Sequence, residues 1–327
     1  MNAELVRETI NKSAATGNSF LFGIDFEMKN GFFLEDPLTN PQILFCCNGI
    51  GNIPPYDMNN ESHTPELTVI SSDRKAYLQK FEIIHRGLLR GDSFLTNLTE
   101  QTPIRTNLSL EEIFLRSKAR YKIWIPEKFV CFSPECFIRI ADERIHTYPM
   151  KGTIDATLPD AEKQLMEDYK EMCEHYTIVD LLRNDLSMVS DHVRVERFRY
   201  VEHVQTLRGE ILQTSSEVVG DLRPGWRKAL GDLIFRLLPA GSISGAPKPA
   251  TLQLIRNAEQ QERGFYSGVF GYFDGEKLDT AVMIRYIEQE GERFYFRSGG
   301  GITIHSDPKR EYDEILEKIY LPIPHQA

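Results

Sequence analysis

Two hydrophobic periods are interleaved along this chain, and that pattern constrains its fold more than any other feature. Short apolar runs bounded by Gly, Pro and Asn read as strands at residues 20–26, 41–47, 129–132, 136–140, 193–198, 268–274 and 293–298. Gly275-Glu276-Lys277, between 268–274 and 280–288, predicts an antiparallel hairpin. Helical spacing predicts helices over 73–90, 109–118, 160–186, 248–261 and 307–320. The last opens on Asp307-Pro308, an acidic cap followed by a proline in the first turn. Hairpins mixed with long helices, without regular βαβ alternation, predict an α+β fold rather than a doubly wound parallel sheet. No repeat, low-complexity run or linker interrupts the pattern, so one domain over residues 1–327 is expected.

Composition narrows the partners. The net charge of −10 argues against nucleic acid or an anionic membrane as a general partner, and requires any cationic pocket to be local. With 41% hydrophobic and 26% charged residues, the balance is that of a globular chain able to bury a large core. The five cysteines are odd in number and lack a CxxC pair, so no disulfide framework is expected and a reducing cytoplasm is the default. Cys46 and Cys47 fall in the apolar run 43–47, where cysteine packs as a small hydrophobe. The first residues lack the basic start and apolar stretch of a signal peptide, and no apolar run approaches the roughly 20 residues of a membrane-spanning helix.

Several segments carry chemistry. In Ser133-Pro134-Glu135 the proline stiffens the backbone before the acid, aiming a functional carboxylate or forming a solvated turn. Lys151, in Tyr148-Pro149-Met150-Lys151-Gly152-Thr153, sits on a constrained segment that suits a nucleophilic amine as well as an ordinary loop lysine. Glu174 precedes Ile178, Leu181 and Leu182 at helical spacing, which predicts an acid on a buried stripe, partnered by a metal ion or by a basic side chain. Glu311, Glu314 and Lys318 share one face of the final helix. They follow Gly299-Gly300-Gly301, which lets backbone N–H groups approach an anion or simply makes a tight strand exit. The small-residue segment 239–248 opens a helix and lacks the spacing of a nucleotide-binding Walker loop.

Taken in order, these motifs resemble the chorismate-utilising enzymes, which include the anthranilate, aminodeoxychorismate, isochorismate and salicylate synthases. The resemblance runs from about residue 90 to residue 320, through LTNLT (95–99), SPE, PMKGT, IVDLLRNDL (178–186), Val201-Glu202-His203-Val204, PAGSISGAPK, RGFYSG (263–268), SGGGI and Glu311-Tyr312-Asp313-Glu314 with Lys318. Residues 1–90 form a shortened N-terminal portion and 91–320 the family core. The resemblance implies two large facing antiparallel sheets with outer helices and a Mg²⁺ site in a central cleft. It implies Glu174 and Glu314 as metal ligands with Glu311 beside them, and Glu135 as general acid/base. His203 is implied as an active-site histidine near the substrate's side chain. Chorismate is implied to lie against Gly152, Thr153, Tyr266, Arg285, Gly299, Gly300, Gly301 and Lys318.

Lysine directly before Gly152-Thr153 is similar to the aminodeoxychorismate branch, whereas the anthranilate and isochorismate branches usually carry alanine there. The implied reaction is amination of chorismate at C4, with Mg²⁺ on the ring carboxylate, Lys151 adding at C2 and Glu135 helping the C4 hydroxyl leave. Ammonia then displaces the lysine, and pyruvate elimination is left to a separate lyase. No glutaminase domain is visible in the sequence, so a separate glutamine amidotransferase subunit is implied as the ammonia source. The stretch 119–125 lacks the Pro-Ser/Ala-Pro-Tyr element of the family's tryptophan pocket, so tryptophan binding is not expected. Anthranilate or isochorismate synthesis, or a silent scaffold for the amidotransferase, are the alternatives; the intact set Glu135, Lys151, Glu174, His203 and Glu314 speaks against the scaffold.

Overall fold

A computed structural model describes residues 1–56, 64–206 and 209–324. The first elements are α1 (Ala3–Thr16), β1 (Phe20–Ile24), β2 (Gly31–Glu35), β3 (Leu44–Cys47), β4 (Ile50–Gly51), β5 (Leu67–Val69), α2 (Arg74–Leu89), β6 (Leu95–Thr106) and α3 (Leu110–Arg116). Next come β7 (Tyr121–Ile125), β8 (Phe129–Ser133), β9 (Cys136–Ala141), β10 (Arg144–Thr147), β11 (Met150–Asp155), α4 (Ala161–Glu167), α5 (Tyr169–Ser187), β12 (Asp191–Thr206) and β13 (Gly209–Asp221). The chain closes with α6 (Leu230–Leu237), α7 (Gly241–Ser244), β14 (Gly245–Ala246), α8 (Lys248–Glu259), β15 (Val269–Phe273), β16 (Leu278–Val282), β17 (Tyr286–Glu290), β18 (Arg293–Ile302) and α9 (Pro308–Glu317).

Among the described residues the strands build two antiparallel sheets. One runs β11-β13-β10-β9-β16-β15-β1-β2, with β12 paired to β13; the other runs β14-β6-β18-β17-β8-β7-β3-β4, with β5 paired to β6. Alternation along β1 shows the layering. Phe20, Phe22 and Ile24 pack with Val6 and Ile10 of α1 and with Leu230 and Ile234 of α6. Leu21 instead joins Phe45, Phe129 and Tyr286 of the other sheet, so the two sheets face each other. On the far side of the second sheet, Ile113 and Phe114 of α3 cover Val130, Phe132 and Phe296. Residues of α2, α8 and α9 cover Leu98 and Ile302. Each of these buried phenylalanines contributes about 1.5–3 kcal/mol relative to an exposed one. The α+β architecture of facing sheets with outer helices follows.

Local caps explain the helix starts. Asp73 accepts from Ala76 N–H, Ser109 and Glu112 form a reciprocal capping box, and Asp307 accepts from Lys309 and Arg310 N–H. The helix expected over 160–186 is instead two. Asp168 is extended (ψ 111°), ends α4 and caps α5 by accepting from Glu171 N–H. The strand expected over 280–288 is also divided. After Val282 the chain leaves the first sheet and joins the second at Tyr286. Residues 133–135 make the opposite crossing, from β8 to β9. The two crossings are laced together by Val282 N–H to Glu135 O (3.2 Å) and Phe132 N–H to Arg285 O (3.0 Å). No helix among the described residues is long and apolar enough to cross a membrane.

Candidate active site

The crossings open a cavity of about 230 Å³ between the sheets. Glu135 lies on one crossing and Arg285, with φ of 53°, on the other. The Ser133 hydroxyl accepts from Glu135 N–H at 3.1 Å, so the Ser-Pro-Glu turn is fixed locally and projects the acid inward. The Ser242 hydroxyl of α7 donates to the Glu135 carboxylate. Burial pushes this carboxyl above its ordinary range, opposed by the Ser242 hydrogen bond and by the charges of Lys151 and Arg285. A raised carboxyl keeps its proton further toward neutrality, as a general acid requires.

Lys151 enters from the edge strand. β10 and β11 pair successively along β13, and the strand breaks between them at Tyr148-Pro149, where Pro149 O accepts from Ser216 N–H at 2.9 Å. The register then shifts between Lys151 and Thr153, with Gly152 at φ +77° supplying the left-handed conformation. A bulge of this kind re-aims a side chain. It turns Lys151 into the cavity, where Nζ donates to Glu174 Oε2 at 3.3 Å.

Behind this strand stands His175, fully buried, with Nε2 2.7 Å from Ser216 Oγ and Nδ1 3.4 Å from Thr214 Oγ1. Thr214 in turn donates to the Lys151 carbonyl. Burial, followed by the Arg199 charge, lowers the His175 pKa to about 4, so the ring is neutral. The buried stripe of α5 runs through His175, Ile178, Val179, Leu182 and Leu186. Glu174 therefore lies at the edge of that stripe, at the mouth of the cavity, rather than on it.

The opposite wall is the glycine strand. Gly299, Gly300 and Gly301 of β18 pair with Thr99, Leu98 and Asn97 of β6. A side chain on Gly300 would lie 3.4 Å from Glu311 Oε2, 3.8 Å from Lys318 Nζ and 4.0 Å from Glu314 Oε1. The glycine thus leaves open the space those charges border. Lys318 Nζ donates to Gly299 O (2.8 Å) and pairs with Glu314 Oε1 (2.6 Å). Burial lowers the Lys318 ammonium pKa against the pull of Glu314. Burial alone would raise Glu314, but Lys318, Lys151 and Lys170 hold it below its ordinary value.

The structure gathers Glu135, Lys151, Tyr266, Arg285, Gly299, Gly300, Gly301, Glu314 and Lys318 around one cavity. Glu174 and Glu311 border it, through Lys151 and Gly300 respectively. Gly152 shapes the bulge but faces Glu171 and Leu165, and Thr153 is exposed. His203 is not brought to the site. It lies on β12, outside β13, with a side chain 66% exposed and paired to Glu210 at 2.7 Å. Motif reading did not select Asn97, Ser242 or Arg297, which line the cavity, or His175, which supports it. Ser242 stands in the quoted PAGSISGAPK segment and Arg297 in the strand expected over 293–298, but only contacts across 107 and 9 residues give their side chains meaning.

Among the described residues, no three His, Cys, Asp or Glu side chains are close enough to hold a metal ion together. The donor chemistry nonetheless suits one. Glu174, Glu311 and Glu314 offer only hard carboxylate oxygens, the set that Mg²⁺ takes. Lys151 and Lys170 lie against Glu174 at 3.3 and 3.6 Å, and the charges of both also lower Glu314.

A family model described as chorismate binding enzyme matches residues 39–324. The chain belongs to the chorismate-binding enzyme family. An uncharacterized PabA-like protein of Haemophilus influenzae is 59% identical over 97% of this chain and 96% of its own. Aminodeoxychorismate synthase component 1 of Bacillus subtilis is 30% identical over 75% of this chain and 54% of its own length. The solved anthranilate synthase component I of Streptococcus pneumoniae shares the architecture at TM-score 0.62 and 25% identity, over 78% of this chain and 58% of that one. This family member therefore spans little more than half the length of those two synthases.

Proposed function

We propose that this chorismate-binding enzyme aminates chorismate at C4, giving 4-amino-4-deoxychorismate. The observation that carries the reading is Lys151: a bulge turns its amine into the cavity that also holds Glu135, and its positive charge reaches that carboxyl. The Bacillus subtilis aminodeoxychorismate synthase component 1 is a relative of that branch, beside anthranilate synthases of similar identity, so the reading rests on Lys151.

In the proposed sequence, Glu174 and Glu314, with Glu311 beside them, would hold Mg²⁺, which would supply positive charge against a substrate carboxylate. Arg285 and Lys318 take up the remaining charge of the dianion. The Lys151 amine attacks C2, so a C2–N bond forms and the conjugated double bonds each move one position toward C4. The C4–O bond breaks, and the departing hydroxyl takes a proton from Glu135 to leave as water. Ammonia then attacks C4, the double bonds return, the C2–N bond breaks to free Lys151, and the proton shed by the new C4 ammonium restores Glu135. The nitrogen ends on the carbon that lost oxygen, and the net change is exchange of water for ammonia. A separate glutamine amidotransferase subunit supplies the ammonia in this reading.

Incubation with chorismate, Mg²⁺ and ammonium, with the product identified by mass, tests it. Accumulation of fluorescent anthranilate or of isochorismate would assign another branch. Lys151→Ala should lower amination by roughly 10³-fold or more, the scale of losing a covalent nucleophile, and abolish any chorismate–protein adduct detectable by mass. An unchanged rate would remove the nucleophile assignment.

A further inference from the structure

At the inner end of the cavity, two charged donors lack partners: Arg285 Nε and Arg297 Nη1 are both buried without a hydrogen bond. A desolvated guanidinium nitrogen left unpaired is costly, and in a cavity it marks a place where an anion completes the structure. Arg297 is 6% exposed. Its register sets it opposite Tyr286 of β17 and Gln101 of β6, on the face turned toward the other sheet. There its Nε donates to Glu288 Oε1 at 2.7 Å, and Gln101 Nε2 donates to the same oxygen at 2.6 Å. This bracing uses one edge of the planar fork and leaves Nη1 free. Arg285 and Arg297 line the same cavity with Tyr266, which feels the positive charge of Arg263, Arg285 and Arg297.

We propose that Arg297 is a substrate-binding residue which, with Arg285, receives one carboxylate of a dianion at the inner end of the cavity. The other carboxylate then lies toward the acidic mouth. The identity of the dianion rests on the chorismate reading; the anion site itself does not. A planar fork suits a carboxylate geometrically, and a point-charge ammonium does not replace it.

The test compares wild type with Arg297→Lys, which keeps a cation against Glu288 but loses the fork. Arg297→Gln, which can still donate to Glu288, serves if the lysine variant unfolds. With chorismate, KM should rise roughly tenfold or more while kcat stays within about twofold, because the contact is remote from the reacting carbons. An unchanged KM in a variant whose wild type consumes chorismate overturns the Arg297 assignment and leaves the function intact. If wild type does not consume chorismate, the functional reading fails, and thermal shift with isophthalate, a rigid aromatic 1,3-dicarboxylate, decides the site. A rise in Tm seen in wild type and lost in the variant supports the anion site; equal shifts, or none in either protein, overturn it.

Discussion

The inner end of the cavity and its mouth draw on the same acids and bases but hold them differently. At the inner end, Glu135 is tied to Ser242, Arg297 to Glu288, and Arg263 to a Glu259 that is itself 1% exposed. Arg263 also donates to Asn97 O and Ile243 O, joining β6, α7 and α8 into one floor. At the mouth, Lys151 and Glu174 are 32% and 28% exposed, and their pairing is shared with Lys170. Buried pairs of the first kind fix geometry, because removing one partner strands the other. Half-exposed pairs of the second kind contribute little to stability and can exchange partners. The inner end is thus preset for orientation, and the mouth has the exchangeable pairing that the proposed reaction asks of a cation site and of the Lys151 amine.

This contrast can be broken or sharpened by experiment. Glu135→Gln should lower kcat roughly 10²–10⁴-fold, the scale of a lost proton donor. It should also remove a fall in activity at rising pH, since burial raises this carboxyl and deprotonation through that raised pKa ends its role as acid; a kcat–pH profile reads both. Next, Arg263→Met leaves the Glu259 charge buried without its cation, held only by the Thr99 N–H and hydroxyl, and should cost about 3–5 kcal/mol in denaturant unfolding. A loss below about 1 kcal/mol would show that the inner end is no more tightly determined than the mouth.

His175 gives a smaller effect with a defined sign. Its pKa falls from 6.5 to about 4 on folding, so its contribution is present above pH 6.5 and is lost as pH falls through 4. That contribution is at most about 3 kcal/mol. His175→Asn should flatten the fall in Tm between pH 7 and pH 4, and an unaltered profile would show the ring is not held neutral. The smallest effect belongs to the mouth. Glu174→Gln should change unfolding free energy by less than about 1 kcal/mol, yet reduce the rise in Tm that Mg²⁺ gives the wild type. An equal Mg²⁺ shift in both proteins would remove Glu174 from the ligand set.

How far the site was legible in sequence depended on how locally each feature is encoded. Helix starts at Asp73, Ser109 and Asp307 follow from caps that bond within three residues, and the sequence reading placed them. The long helix over 160–186 was read through Asp168, because a cap inside a polar stretch looks like any other acid. Strand β6, Leu95–Thr106, carries mostly polar residues and escaped the apolar pattern, although it forms the pairing partner of the glycine strand. α1 was passed over too, despite an Asn2 cap and a left-handed Gly17 at its end. Lys151, Glu135, Arg285 and the three glycines, which the family resemblance implies, meet in one cavity; His203, implied in the same way, does not.

The sequence by itself determined the helix caps, the alternation of buried strands and the ordered motifs that place the chain in its family. Each is a property of neighbouring residues or of residue order. Tertiary structure alone decided where strands change sheets, which way the bulge at Gly152 turns Lys151, and that His175 rather than Glu174 belongs to the buried stripe. It also decided that Arg297 keeps one nitrogen unpaired. The physical reason is that burial and hydrogen-bond satisfaction are properties of the packed molecule, set by partners far away in the chain.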